Sequence, residues 1–208
     1  MKGSLIVLAV FAIGIFIGMS GLIPESFIPA ELSEWLLYAL VIQIGLSLGY
    51  GGNIRKIMSN ISFRTLLLPF GTIVGTLLFT VLAGLLIGGW SPMDYLALGS
   101  GLGYYSLSSV LIIDIKSETI GLQAATQLGM LALLVNIIRE ITALVCGPWF
   151  AKVFGRYAPV SAAGVTSMDV TMPMIVRCTG QEMMPIALMH GVVLEVCVPL
   201  LVSLFAGL

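Results

Sequence analysis

"AAGVTSMDVTMP", residues 162–173, sets an aspartate, three hydroxyl side chains and a proline in a chain that is otherwise almost continuously apolar. Of the 208 residues 59% are hydrophobic and 9% charged, a balance that excludes an ordinary soluble domain and indicates an integral membrane protein. Glycine, hydroxyl residues and proline weaken a continuous helix. At membrane depth, the backbone groups so released are tolerated only where protein or a wet cavity satisfies them. The stretch therefore predicts a broken helix lining a cavity, and Asp169 stands at the break. A second stretch of the same kind, "GSGLGYYSLSS", occupies residues 99–109.

Around these two breaks, five apolar runs are long enough to cross about 30 Å of hydrocarbon as helices. They are 1–22 (with its apolar run from Ser4), 34–50, 65–87, 121–145 and 185–206. The first outlasts a signal-peptide core and lacks a small-x-small cleavage site, so it reads as a retained helix. The expected fold is an all-α integral membrane protein, one transporter domain over 1–208, with five transmembrane helices and two broken or re-entrant segments, 95–113 and 159–176.

Charge sets the orientation. Arg55, Lys56 and Arg64 follow the second span, whereas the preceding loop carries Glu25 and Glu31 and no base, which puts the N-terminus in the cytoplasm and the C-terminus outside. If both broken segments are hairpins, Lys2, Arg55, Lys56, Arg64, Lys152, Arg156 and Arg177 all fall inside and only Lys116 outside; full crossings would exchange Lys116 for Lys152 and Arg156. The hairpin arrangement is the better match. It also exposes an inverted repeat, a span plus a hairpin from one side followed by a span plus a hairpin from the other, with tips expected at 103–108 and 167–171. Secondary transporters are commonly built in this way, with the site where the interrupted elements meet.

In 121–145 and just beyond, Gly129, Ala132, Asn136, Glu140, Ala143 and Gly147 recur at three- and four-residue spacing and so share one helix face. An acidic side chain on a lipid-exposed helix centre costs at least about 2.5 kcal/mol, so Glu140 must meet protein, a partner charge or water. Arg139 projects about 100° away and is expected on Asp169 or on a carbonyl at a hairpin tip; a structural Arg139–Glu140 ion pair is the plainer alternative. Asp169 suits a cation site beside freed carbonyls, or simply the cap of a half-helix. The candidate substrate- and proton-binding set is Glu140, Asp169, Arg139, Asn136, Ser167, Thr171 and Ser106. Tyr104, Tyr105, His190 and Glu195 form a second tier: His190, the lone histidine, fits packing beside Gly191, and the tyrosines fit packing or interfacial anchoring. Cys146, Cys178 and Cys197 are scattered, suggesting neither disulfides nor a metal site. No cofactor and no nucleic acid is expected.

"GLGYYSLSS" (101–109), "NIIREI" (136–141), "GVTSMDVTMP" (164–173) and "MHGVVLEVCVP" (189–199), in that order, resemble the motifs of the bacterial lysine exporter family, the LysO type. The resemblance runs over essentially the whole chain and corresponds to the C-terminal part of longer members, which carry further N-terminal helices. It implies L-lysine export, with close analogues, across the bacterial inner membrane, and an acidic pair at the positions of Glu140 and Asp169. Glu195 departs from the pattern, standing where a small hydroxyl residue is expected, and is left outside the shared site.

The chemistry agrees. Lysine carries two ammonium groups and a carboxylate, and each must be matched when it leaves water. Two carboxylates answer the ammonium groups, while hairpin N–H groups, Arg139 or hydroxyls hold the substrate carboxylate. Export against a gradient needs a coupling ion; proton antiport is expected, and nothing in the sequence excludes sodium. A non-transporting assembly subunit is one alternative. An intramembrane hydrolase is another, although no nucleophile motif supports it. The small-residue faces of 129–147 and 187–195 are expected to need shielding from lipid by further protein, either a small membrane subunit of about three spans or a second copy of the chain.

Overall fold

In the computed structural model the chain divides into two compact units, Met1–Ile54 and Arg55–Leu208. The structure describes residues 13–14, 16–20, 35 and 63–208. In the first unit, residues 13, 14, 16–20 and 35 are helical; the remainder of the expected spans 1–22 and 34–50, and the basic residues Arg55 and Lys56, lie outside the described residues.

In the second unit every regular element among the described residues is helical. α1 is Phe63–Ile87, α2 Pro92–Gly99, α3 Tyr105–Ile120, α4 Leu122–Phe154, α5 Ala158–Ala163, α6 Met172–Thr179 and α7 Met184–Ala206; short 3-10 turns cover Gly164–Met168 and Gln181–Met183. Among the described residues, three stretches are long and apolar enough to cross a membrane, Leu66–Ile87, Leu122–Phe154 and Gln181–Ala206. They coincide with the three expected spans of this unit. α4 runs well past the expected end at 145, through Gly147 and Pro148. A proline within a membrane helix loses one donor that neighbours can compensate. Trp149, Phe150 and Phe154 then cluster with ring centroids 5.4–6.4 Å apart, an aromatic group of the kind that anchors helix ends at an interface.

Both broken segments are helical hairpins. α2 has eight residues and rises only about 12 Å, far short of a crossing. Ser91 caps it through a reciprocal capping box with Asp94. The chain turns at 100–104, where Leu102 and Gly103 have φ of 48° and 100°, and returns as α3. Lys116 Nζ then lies 2.9 Å from Asp94 Oδ1, both side chains buried, so the hairpin is closed at its base by an ion pair. This turn precedes the expected tip at 103–108. Ser106, Ser108 and Ser109 are already helical, and the Ser108 hydroxyl donates to Tyr104 O at 2.7 Å within its own helix. Lys116, counted in the sequence as an isolated outer charge, is neutralised by Asp94. In the second hairpin, α5 and α6 are separated by a break over 164–171, longer than the expected 167–171. Its base is closed in the same manner, Arg156 Nη1 to Glu182 Oε1 at 2.9 Å, here in the open.

Close approach of hairpins and spans depends on small residues. A Cβ at Gly84 would overlap the Tyr95 ring, one at Gly129 the Ile113 side chain, and one at Gly147 the Met174 side chain. Ala143, Val160, Ala163, Ile175, Met183 and Ala187 form an apolar core joining α4, the second hairpin and α7. Of the α4 stripe, Gly129, Ala132, Asn136, Glu140, Ala143 and Gly147 are all buried. Ala187, Gly191 and Glu195 of α7 are buried too. At these positions the faces expected to require outside protein are covered by the chain's own helices and hairpins.

Candidate functional site

The two hairpin tips meet. Val165 N–H donates to Leu102 O at 2.9 Å, and a Cβ at Gly164, whose φ is 67°, would overlap that same carbonyl oxygen. Only glycine meets both demands. Asn136 holds the first tip from α4: its Oδ1 accepts from Gly103 N–H at 2.7 Å, while Nδ2 donates to Ala132 O at 2.8 Å.

Arg139 holds the second tip. Nε donates to Ala162 O at 3.0 Å and Nη2 to Ser161 O at 2.9 Å, with Nη1 on Thr76 Oγ1 at 3.2 Å. Its charge thus sits on the free carbonyls at the C-terminal end of α5, where a cation is favoured. This is the tip-carbonyl alternative of the sequence, and neither Glu140 nor Asp169 is its partner. His190, fully buried, is bonded at both ring nitrogens, Nδ1 to Ser167 Oγ at 3.1 Å and Nε2 to Thr72 Oγ1 at 3.0 Å. The Ser167 hydroxyl also donates to Ala187 O at 2.9 Å and the Thr72 hydroxyl to Leu68 O at 3.0 Å, so the ring bridges the second break to α1 and α7. Thr171 Oγ1 donates to Thr166 O at 2.8 Å. Asn136, Arg139, Ser167, Thr171 and His190 are thus occupied in holding the broken backbone.

The carboxylates are not. Glu140 is 5% and Glu195 7% exposed, and in each the Oε2 atom is buried with no hydrogen-bond partner among the described residues. Asp169 is exposed, follows the 3-10 turn, and accepts from the N–H of Val170. Two buried carboxylates, Glu140 on α4 and Glu195 on α7, thus sit on helices that pack against both hairpins, with the exposed Asp169 at the second break and the half-buried Tyr104 and Tyr105 at the first. Ser106 lies in the first turn of α3, which has no side-chain cap.

Glu195, in the second tier of the sequence reading, shares the buried Ala187–Gly191 face of α7 much as Glu140 shares the small-residue face of α4. No group of His, Cys, Asp or Glu among the described residues is arranged to hold a metal ion.

Several known proteins are similar. The family described as "Lysine exporter LysO" matches residues 8–206. "Lysine exporter LysO" of Escherichia coli (strain K12) is 30% identical over 208 residues, 98% of this chain, and the chain spans 64% of that relative's length. A provisionally named lysine exporter of Haemophilus influenzae is 29% identical over 187 residues, 86% of each protein. No solved structure matches. With the match to the family extending over nearly all of its length, the chain belongs to the lysine exporter LysO family.

Proposed function

We propose that this chain exports L-lysine, and close analogues, as a secondary transporter of the bacterial inner membrane that exchanges lysine for protons. The observation that carries the reading is two buried carboxylates, Glu140 on α4 and Glu195 on α7, each with an oxygen that has no partner among the described residues. Uncompensated charge is costly in such a place, so each carboxylate must hold a cation or a proton. An ammonium arriving and a proton leaving is one exchange that keeps the site neutral, and repeating it from each side couples the two fluxes. The uncapped N–H groups at the start of α3 suit the lysine carboxylate. Family membership and the names of the relatives support lysine as the cargo.

In this reading the two hairpins are re-entrant from opposite faces, with α1 plus the first hairpin and α4 plus the second forming an inverted repeat. The ion pairs at both hairpin bases and the contact between the tips support that placement. The N-terminus is cytoplasmic and the C-terminus outside. Because the small-residue faces are already covered, transport itself decides whether a small membrane subunit or a second copy completes the working assembly. The test is uptake of labelled lysine into proteoliposomes preloaded with lysine, then efflux driven by an imposed pH gradient, using this chain by itself and with such a subunit. Counterflow with gradient-dependent efflux is expected; no lysine flux under either condition would sink the proposal.

A further inference from the structure

We propose that His190 is a positioning residue for transport: clasped between α1 and the second break, it fixes the turn that carries both the tip contact and Asp169. The inference rests on the lysine reading above and deepens it. Transporters of this construction place their site where the interrupted elements meet, and here the meeting is made by Val165, whose N–H donates to Leu102 O. The turn to which Val165 belongs, Gly164–Met168, ends directly before Asp169. Asp169 N–H and Thr171 N–H both donate to Thr166 O, at 3.2 and 3.0 Å, and the Thr171 hydroxyl adds a third bond to that oxygen at 2.8 Å. Asp169 therefore goes where residues 165–168 go.

Two consecutive residues of α7 set that place. A Cβ at Gly191 would lie 2.6 Å from Met168 Cβ and 2.8 Å from Val165 O, so α7 is pressed against the turn with no room for a side chain. His190, fully buried, adds a polar tie: Nδ1 lies 3.1 Å from Ser167 Oγ, and the Ser167 hydroxyl also reaches Ala187 O at 2.9 Å. At the other ring nitrogen, Nε2 lies 3.0 Å from Thr72 Oγ1 on α1, which in turn lies 3.0 Å from Ser161 Oγ on α5, the limb that enters the same hairpin. A chain of contacts thus runs from α5 through α1 and His190 to the break. A buried polar network of this kind is stiff, and removing one member leaves another buried polar group unmatched. A histidine that merely filled space would need only its volume; this one needs both nitrogens.

The experiment compares Thr72→Val, which keeps the side-chain shape and removes the hydroxyl facing His190, with Thr72→Ser, which keeps the hydroxyl. The full chain is reconstituted for lysine counterflow over a range of lysine concentrations, and amide hydrogen exchange is followed over residues 164–171. Thr72→Val is expected to raise the half-saturating lysine concentration about tenfold and to speed exchange in the break, which lies far from residue 72 in the chain. Thr72→Ser should match wild type in both measurements, and Ser167→Ala, which cuts the bond at the other ring nitrogen, should raise the half-saturating concentration as Thr72→Val does. If Thr72→Val does not reach the membrane, Ser167→Ala carries the same test. Lysine flux by wild type, with either half-saturation or exchange unchanged in Thr72→Val or with Thr72→Ser equally impaired, overturns the role of His190 and leaves lysine export standing. Wild type that moves no lysine overturns the lysine reading and this inference with it.

Discussion

Val165 N–H and Leu102 O, 63 positions apart in the chain, form a 2.9 Å hydrogen bond that joins the tips of two hairpins backbone to backbone. Each hairpin is tied to α4 by a separate side chain, the first by Asn136 and the second by Arg139, three residues apart. Glu140 follows Arg139 directly and projects about 100° away around the helix. The same turn of helix thus braces the junction and supplies its charge.

Substituting Gly164 should break this junction. Gly164→Ala combines a left-handed backbone, which costs a non-glycine residue about 1–2 kcal/mol, with overlap of the Leu102 carbonyl. A lowered melting temperature in detergent and loss of lysine flux are expected. Gly71→Ala, where a Cβ meets nothing within 4 Å, should melt as wild type or slightly higher; equal behaviour of the two variants would contradict the tip contact.

Glu140→Gln and Asp169→Asn are each expected to abolish lysine efflux from cells while membrane insertion and abundance remain at wild-type level. Amide replacement keeps shape and removes the charge that an ammonium or a proton must meet. Wild-type efflux by either variant would take that residue out of the site.

The Asp94–Lys116 pair should govern acid stability. Burial pushes the Asp94 carboxyl up, but hydrogen bonds from Ser91 and Lys116 outweigh it and hold the group below the usual carboxylate range. A depressed folded value stabilises above the unfolded value of about 3.9 and ceases to do so as pH falls through the folded one. Asp94→Asn leaves a buried lysine charge uncompensated and should cost about 3–5 kcal/mol at neutral pH. In thermal melts the gap to wild type should be wide at pH 7 and close only as pH falls through the depressed folded value, below the usual carboxylate range; a gap independent of pH would refute the pairing.

Topology is open to direct measurement. A reporter fused after Ile120 should lie outside, and one fused after Phe154 in the cytoplasm. The reverse assignment at both positions would replace the re-entrant hairpins with full crossings.

The amino-acid order by itself determined which face of each long helix turns inward. Gly129, Ala132, Asn136, Glu140, Ala143 and Gly147 lie on one stripe because 3.6 residues make a turn, and that phase is local. The two breaks were legible as well, from Gly, Ser, Thr and Pro in hydrocarbon-length runs. Tertiary structure decided what those faces and breaks meet. Periodicity cannot show that Arg139 reaches the α5 carbonyls, that Lys116 closes on Asp94, or that Glu195 on α7, like Glu140 on α4, is buried with an oxygen unpartnered among the described residues. Each depends on elements brought together by packing across dozens of residues, where the cost of an unmatched buried charge, and not any local preference, selects the partner.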